Sequence, residues 1–160
     1  MNDVEKLLAI EEIKTVFARR VRYLDTKQWD LYGTVHTEDA RSESYGDLPV
    51  NVQPVAEGAR NLVIGPQALA AAIRAFVMDP VPMTTVHHAH PGEIEILSDD
   101  CAMGIWPMED WLWWEEGDRK EWFHGFGHYH ERYRKEGGCW LISYRKLTRM
   151  AANLVTPGGF

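Results

Sequence analysis

The chain has 160 residues, 45% of them hydrophobic, 11% aromatic and 26% charged, a globular composition long enough for one domain with a sizeable core. Its 17 Lys and Arg against 24 Asp and Glu leave a net charge of -7 with no basic run, which excludes the footprint of a nucleic-acid binder. No window holds the roughly 18 apolar residues of a membrane span, and the start MNDVEKLLAIEEIK carries acids where a secretory signal carries bases. Cys101 and Cys139 read as reduced, buried thiols, and a cytoplasmic location is expected.

From the N-terminus, Asn2 or Asp3 caps a first helix whose apolar residues, Leu7, Ile10, Ile13, Phe17, Val21 and Leu24, recur at helical spacing. It ends near Asp25-Thr26, and a short second helix covers Trp29 to His36. Arg20, at the edge of the stripe, is expected to snorkel to solvent, the alternative being that it reaches inward. A first strand follows at Ala40 to Tyr45. Gly46 to Gly65, broken by Pro49, Pro54 and Gly58, is irregular and long enough to act as a lid. Pro66 opens a third helix with Leu69, Ile73, Phe76 and Val77 on one face, and Asp79-Pro80-Val81-Pro82 stops it.

Met83 to Trp114 reads as one long antiparallel hairpin. β-branched residues alternate along Met83 to Leu97, Met and Trp along Cys101 to Trp114, and Ser98-Asp99-Asp100 supplies the turn. Strands over Glu121 to Lys135 and Cys139 to Met150 complete the run. The small, Gly-rich tail, residues 151–160, is expected to be disordered or laid on a neighbouring subunit, leaving 1–150 as the domain. Helices followed by antiparallel strands make the α+β pattern, with three helices of the N-terminal half on one face of a curved sheet.

Two kinds of residue in this layout carry chemistry. Asp25 stands at the C-terminal end of its helix, where dipole and burial both raise a carboxyl's pKa and favour a cationic partner such as histidine; its plainer role is to cap the turn with Thr26. Pleat parity groups His87 with Met83 and Thr85, sets His88 and His90 on the other face, and puts His124, His128 and His130 together on the next strand. Parity alone leaves open which face is inside, and Pro91-Gly92 is a candidate bulge. His88, His90 and Glu95 match the first metal motif of cupins, but a helical first third argues against that all-β fold, so no metal is expected. The outward histidines are read instead as cross-strand pairs, at an interface or in water.

Arg22 to Asp30, RYLDTKQWD, resembles the YxxLDTKDWD segment of SnoaL-like, nuclear transport factor 2-like proteins, in the branch holding scytalone dehydratase, hexachlorocyclohexane dehydrochlorinase and bile-acid dehydratase. The likeness continues through Gly65 to Phe76, His87 to Trp114 and Gly127 to Leu147. It implies a cone-shaped α+β barrel whose cavity holds a dyad of Asp25 and His87. With His87 inside, Asp110, Leu112, Trp114 and Tyr129 are expected to face the cavity, and Tyr45 lies near the place of a substrate-polarising tyrosine. Leu112 stands where scytalone dehydratases carry a second histidine, and Arg20 about where bile-acid dehydratases carry a tyrosine, so neither specific dehydration is implied. Relatives with this dyad are commonly trimers, so a homo-oligomer is expected, trimer before dimer.

The expected chemistry is general-base abstraction of an acidic C–H from a small hydrophobic ring compound by His87, held by Asp25, with no metal or other cofactor. Tyr129 or Tyr45 would hydrogen-bond an enolate oxygen, and Arg145 either neutralises a leaving group or makes a surface ion pair. The alternatives are a non-catalytic small-molecule-binding or assembly module, and a subunit like the small β subunit of ring-hydroxylating dioxygenases.

Overall fold

The computed structural model describes residues 1–43 and 62–155. Helix α1, Asp3–Asp25, opens on a capping box: the Asn2 side chain accepts from the Glu5 N–H at 2.9 Å, and the Glu5 carboxylate accepts from the Asn2 N–H at 2.6 Å. Its buried face is Ala9, Ile13, Val16, Phe17, Arg20 and Leu24. Leu7, expected in that stripe, falls on the far side of the helix with Val4 and is 64% exposed. α2, Trp29–Tyr32, tightens into a 3-10 turn over Gly33–Val35. His36, expected to end this helix, is already extended and starts β1, His36–Glu43. The short β2, Val63–Ile64, leads into α3, Pro66–Met78, which buries Leu69 and Val77, while Phe76 sits at the edge of the apolar stripe and is exposed.

The expected hairpin forms with a break in its first arm. β3, Thr84–Ala89, and β4, Glu93–Ile96, both pair antiparallel with β5, Cys101–Glu116. Ala89 pairs with Met108 and Glu93 with Ile105, so His90, Pro91 and Gly92 bulge opposite Trp106 and Pro107. The bulge has a packing cause. Trp106 stacks on Phe17 of α1 at 4.1 Å between ring centroids, and a Cβ on Gly92 would lie 2.4 Å from the indole, so the backbone closes over the ring only because residue 92 has no side chain. β6, Arg119–Glu136, and β7, Cys139–Val155, complete an open sheet of order β2-β1-β7-β6-β5-β3, with β4 also on β5. β1 and β7 run parallel, and the other pairs are antiparallel. β7 carries residues 151–155 of the presumptive tail, paired to β6 through Trp122 and Val155 rather than released.

The sheet's inner face and the helices enclose a core of Ile13, Phe17, Val35, Trp106, Met108, Tyr129, Tyr133, Trp140 and Ile142, with Leu24, Tyr32, Ala40, Leu69 and Val77 under α2 and α3. This is the α+β cone expected from the sequence. No helix among the described residues is long and apolar enough to cross a membrane.

Candidate active site

The last residue of α1 meets the middle of β3. His87 donates its backbone N–H to Asp25 Oδ2 at 2.9 Å, and its Nδ1 lies 2.6 Å from Asp25 Oδ1. An ionised carboxylate only accepts, so Nδ1 carries the proton and Nε2 faces the other way. Thr85 Oγ1 donates to Asp25 Oδ1 at 2.9 Å and accepts from Lys27 Nζ at 2.9 Å. Lys27 reaches there because its φ of 58° turns the chain sharply after the helix. Asp25 therefore orients a histidine rather than capping the turn; Thr26 satisfies itself on the Arg22 carbonyl at 2.6 Å. Burial pushes the Asp25 carboxyl up, as expected, but the hydrogen bond and charge of His87, its backbone N–H and Thr85 outweigh it and hold the group below the ordinary value. Burial lowers Lys27, partly offset by Asp25.

Asp110 is the cross-strand partner of His87 and Leu112 that of Thr85, so the face of Met83, Thr85 and His87 points inward. Asp110 is 3% exposed, and its Oδ2 lies 3.9 Å from His87 Nε2. Arg149 of β7 clamps it with two hydrogen bonds, Nη1 to Oδ1 at 2.6 Å and Nη2 to Oδ2 at 2.5 Å, over the ring of Phe123 at 5.3 Å. The clamp crosses Gly125, the partner of Asp110 on β6; a Cβ there would sit 2.3 Å from Arg149 Nη1 and 2.6 Å from Asp110 Oδ1. Lys27, Gly125 and Arg149 escaped the sequence reading. Arg149 was within its reach, because it follows Arg145 by an even step on one strand.

With this geometry in place the chain can be compared with known proteins. The model of the SnoaL-like domain family matches residues 5–146. The chain belongs to that family. Among solved structures, hexachlorocyclohexane dehydrochlorinase (LinA) type 2 superposes with a TM-score of 0.78 at 18% identity, covering 99% of this chain and 97% of that one. The LinA type 3 enzyme of Novosphingobium barchaimii LL02 gives 0.77 at 16%, covering 99% and 97%. ActVI-ORFA of Streptomyces coelicolor gives 0.66 at 15%, covering 88% and 96%. At these identities the likeness is one of fold.

The remaining site residues of this SnoaL-like domain divide between its two faces. Leu112 and Tyr129 are buried on the inner face, and Trp114, on the same pleat side, is half-buried. Tyr45 and the segment from Gly46 lie outside the described residues through 61. Arg20 does not snorkel: it is 0% exposed, its Nε is 3.1 Å from Glu131 Oε1, and its guanidinium lies 4.4 Å from the Tyr129 ring. Arg145 makes no surface ion pair either, since it is 5% exposed against Tyr129, 4.8 Å from the ring. Glu131 also accepts from the Tyr133 hydroxyl, which accepts from Trp106 Nε1 at 2.9 Å. On the outer face Glu109 meets His124 Nε2 at 2.8 Å and His88 Nδ1 at 3.3 Å, and His130 Nε2 meets Thr148 at 3.0 Å, so of His88, His90, His128 and His130, expected to form cross-strand pairs, His88 and His130 reach across, while His90 lies in the bulge and His128 packs beside His130 on its own strand. Among the described residues no three His, Cys, Asp or Glu side chains are grouped for a metal.

Proposed function

We propose that the protein is a lyase or isomerase in which His87 Nε2 removes a proton from carbon next to a carbonyl or halogen-bearing carbon of a hydrophobic ring substrate, without a cofactor. Support comes chiefly from the 2.6 Å contact of Asp25 with His87 Nδ1, which fixes the tautomer and leaves Nε2 as the base. The C–H pair of electrons either forms a C=C bond as halide departs, or as hydroxide departs and becomes water by taking a proton from the imidazolium, or moves onto the carbonyl oxygen as an enolate on the way to a shifted double bond. On abstraction the proton resides on Nε2, giving an imidazolium between the carboxylates of Asp25 and Asp110. Arg149, held by Asp110 and 23% exposed in its side chain, is a donor that would answer a growing negative oxygen.

The test is a turnover and binding screen of hydroxy-ketones, enones and halogenated rings on wild type and His87→Ala. Turnover lost with binding kept supports the general base; binding in both with turnover in neither sinks it. The second reading, a binding or assembly module, draws on the outer face. Two depressions of about 240 and 560 Å³ lie there, away from the dyad, one lined by Pro107, Glu109, Phe126 and His128 and the other by Met103, Ile105, His130 and Arg132, and Trp111, Trp113, Trp122 and His124 stack elsewhere on that face. That stack also supports self-association of the chain, which sedimentation velocity of wild type and Trp113→Glu reads directly.

A further inference from the structure

Three arginines gather around the Tyr129 ring, and among the described residues two carboxylates answer them. Arg149 is clamped on Asp110, and Arg20 is paired with Glu131. Arg145 has neither. It is the ladder partner of Glu131, yet among the described residues it forms no ion pair and its Nε has no hydrogen-bond partner, although the residue is 5% exposed. Among the described residues the unpartnered acceptors beside it are two, Glu131 Oε1, which is ion-paired with Arg20, and His36 Nε2. Arg20 Nη1 and Nη2 and the Tyr32 hydroxyl, on residues 0% exposed, are equally unpartnered. His36 completes the wall: its Nδ1 donates to the Tyr32 carbonyl at 2.9 Å, and burial together with the charges of Arg20 and Arg145 keeps it neutral. A buried charge and several buried donors left unanswered are costly, which points to a missing anion.

We propose that Arg20, Tyr32 and Arg145 form a carboxylate-binding subsite in the cone and that, resting on the reading of His87 as a base, the substrate is a ring compound bearing a carboxylate. Two guanidiniums against the one carboxylate of Glu131 leave a single positive charge, which a monoanion balances and a phosphate dianion oversupplies. A carboxylate offers about four lone-pair sites, and the unpartnered donors here, Arg20 Nη1 and Nη2, Arg145 Nε and the Tyr32 hydroxyl beside the ion-paired Arg20 Nε, outnumber the two unpartnered acceptors, Glu131 Oε1 and His36 Nε2. Glu131, the facing acid, is already occupied by Arg20 and the Tyr133 hydroxyl. The subsite adjoins the dyad. Arg20 precedes Asp25 by roughly 7.5 Å along α1, and Tyr129 touches the charges of both Arg145 and the Asp110–Arg149 clamp beside His87.

The experiment titrates the full chain with formate, acetate, benzoate and cyclohexene-carboxylates at fixed ionic strength, by thermal melt and calorimetry, with chloride as control. Wild type and His87→Ala should show saturable binding. Arg145→Met, which keeps the volume, should weaken it about ten- to hundred-fold, the loss of a charge-assisted contact, and Tyr32→Phe, which keeps the packing, severalfold. Absence of saturable binding to wild type, equal affinity in both subsite variants, or chloride binding as well as the carboxylates overturns the subsite. Ring acids that bind and turn over, with acetate only inhibiting, support the substrate class. Acetate binding with ring acids excluded overturns that class. Carboxylate binding kept in His87→Ala, with no turnover in any protein, supports the subsite while the catalytic reading fails.

Discussion

Replacing Arg149 by Met tests how much the clamp on Asp110 stabilises that buried carboxylate beside the base. Asp110 is 3% exposed and held by bonds of 2.6 and 2.5 Å, so the variant strands a buried charge. Breaking such a pair costs about 3–5 kcal/mol. Because the Arg149 side chain is 23% exposed, water can enter its place, and the lower end of that range is expected. Asp110→Asn leaves a guanidinium that already reaches solvent in part and should cost about 1–2 kcal/mol. The double variant removes both charges, so a cycle measured by urea unfolding at pH 7 should show a coupling of about 2 kcal/mol. Gly125→Ala should copy part of the loss, since its Cβ would enter the clamp at 2.3 Å from Arg149 Nη1. Additivity of the two single variants within about 0.5 kcal/mol, against the coupling expected for contacting residues, would refute the reasoning.

Asp25→Asn leaves His87 free to take the other tautomer and should lower any turnover by about two to four orders of magnitude, measured as kcat. His36 is pushed down to about 3 by burial and by Arg20 and Arg145. The unfolded chain therefore binds a proton below pH 6.5 that the fold refuses, and stability falls as pH drops from 6.5 towards 3, by about 1.4 kcal/mol per unit. Urea midpoints at pH 7.5 and 5.5 should converge in His36→Asn relative to wild type. Gly92→Ala drives a methyl to 2.4 Å from the Trp106 ring and should cost about 1–3 kcal/mol as overpacking, read as a lower melting temperature.

The fold was legible because period and punctuation agree along most of the chain. α1 ends at Asp25 where the apolar repeat ends, and Pro66 and the Gly137-Gly138 reversal mark boundaries that the structure keeps. The dyad was legible through the resemblance, which chose a face that parity left open. The buried arginines were not. A guanidinium on the flank of a helical stripe normally finds water, and nothing local in the sequence says that Glu131, on a strand far along the chain, will be 3.1 Å from Arg20. Nor does a period of two reveal which strands coil around a common centre, so Arg145 looked like a surface residue until β1, β6 and β7 enclosed it.

What turns these residues into a candidate site rather than a surface feature is register. His87 faces Asp110 across the inner pleat, and the adjacent rung pairs His88 with Glu109 across the outer one. The two rungs carry the same residue types, so a slip of one residue would exchange a base inside the cone for one in solvent. Three local devices forbid the slip. Thr85 and the His87 N–H bind Asp25 of α1, Gly125 admits the Arg149 clamp at the Asp110 rung and at no neighbouring one, and the Gly92 bulge seats Trp106 on Phe17. Two of the devices tie the hairpin to α1 and the third ties it to β7, so its register is fixed by the fold around it rather than by its own alternating pattern.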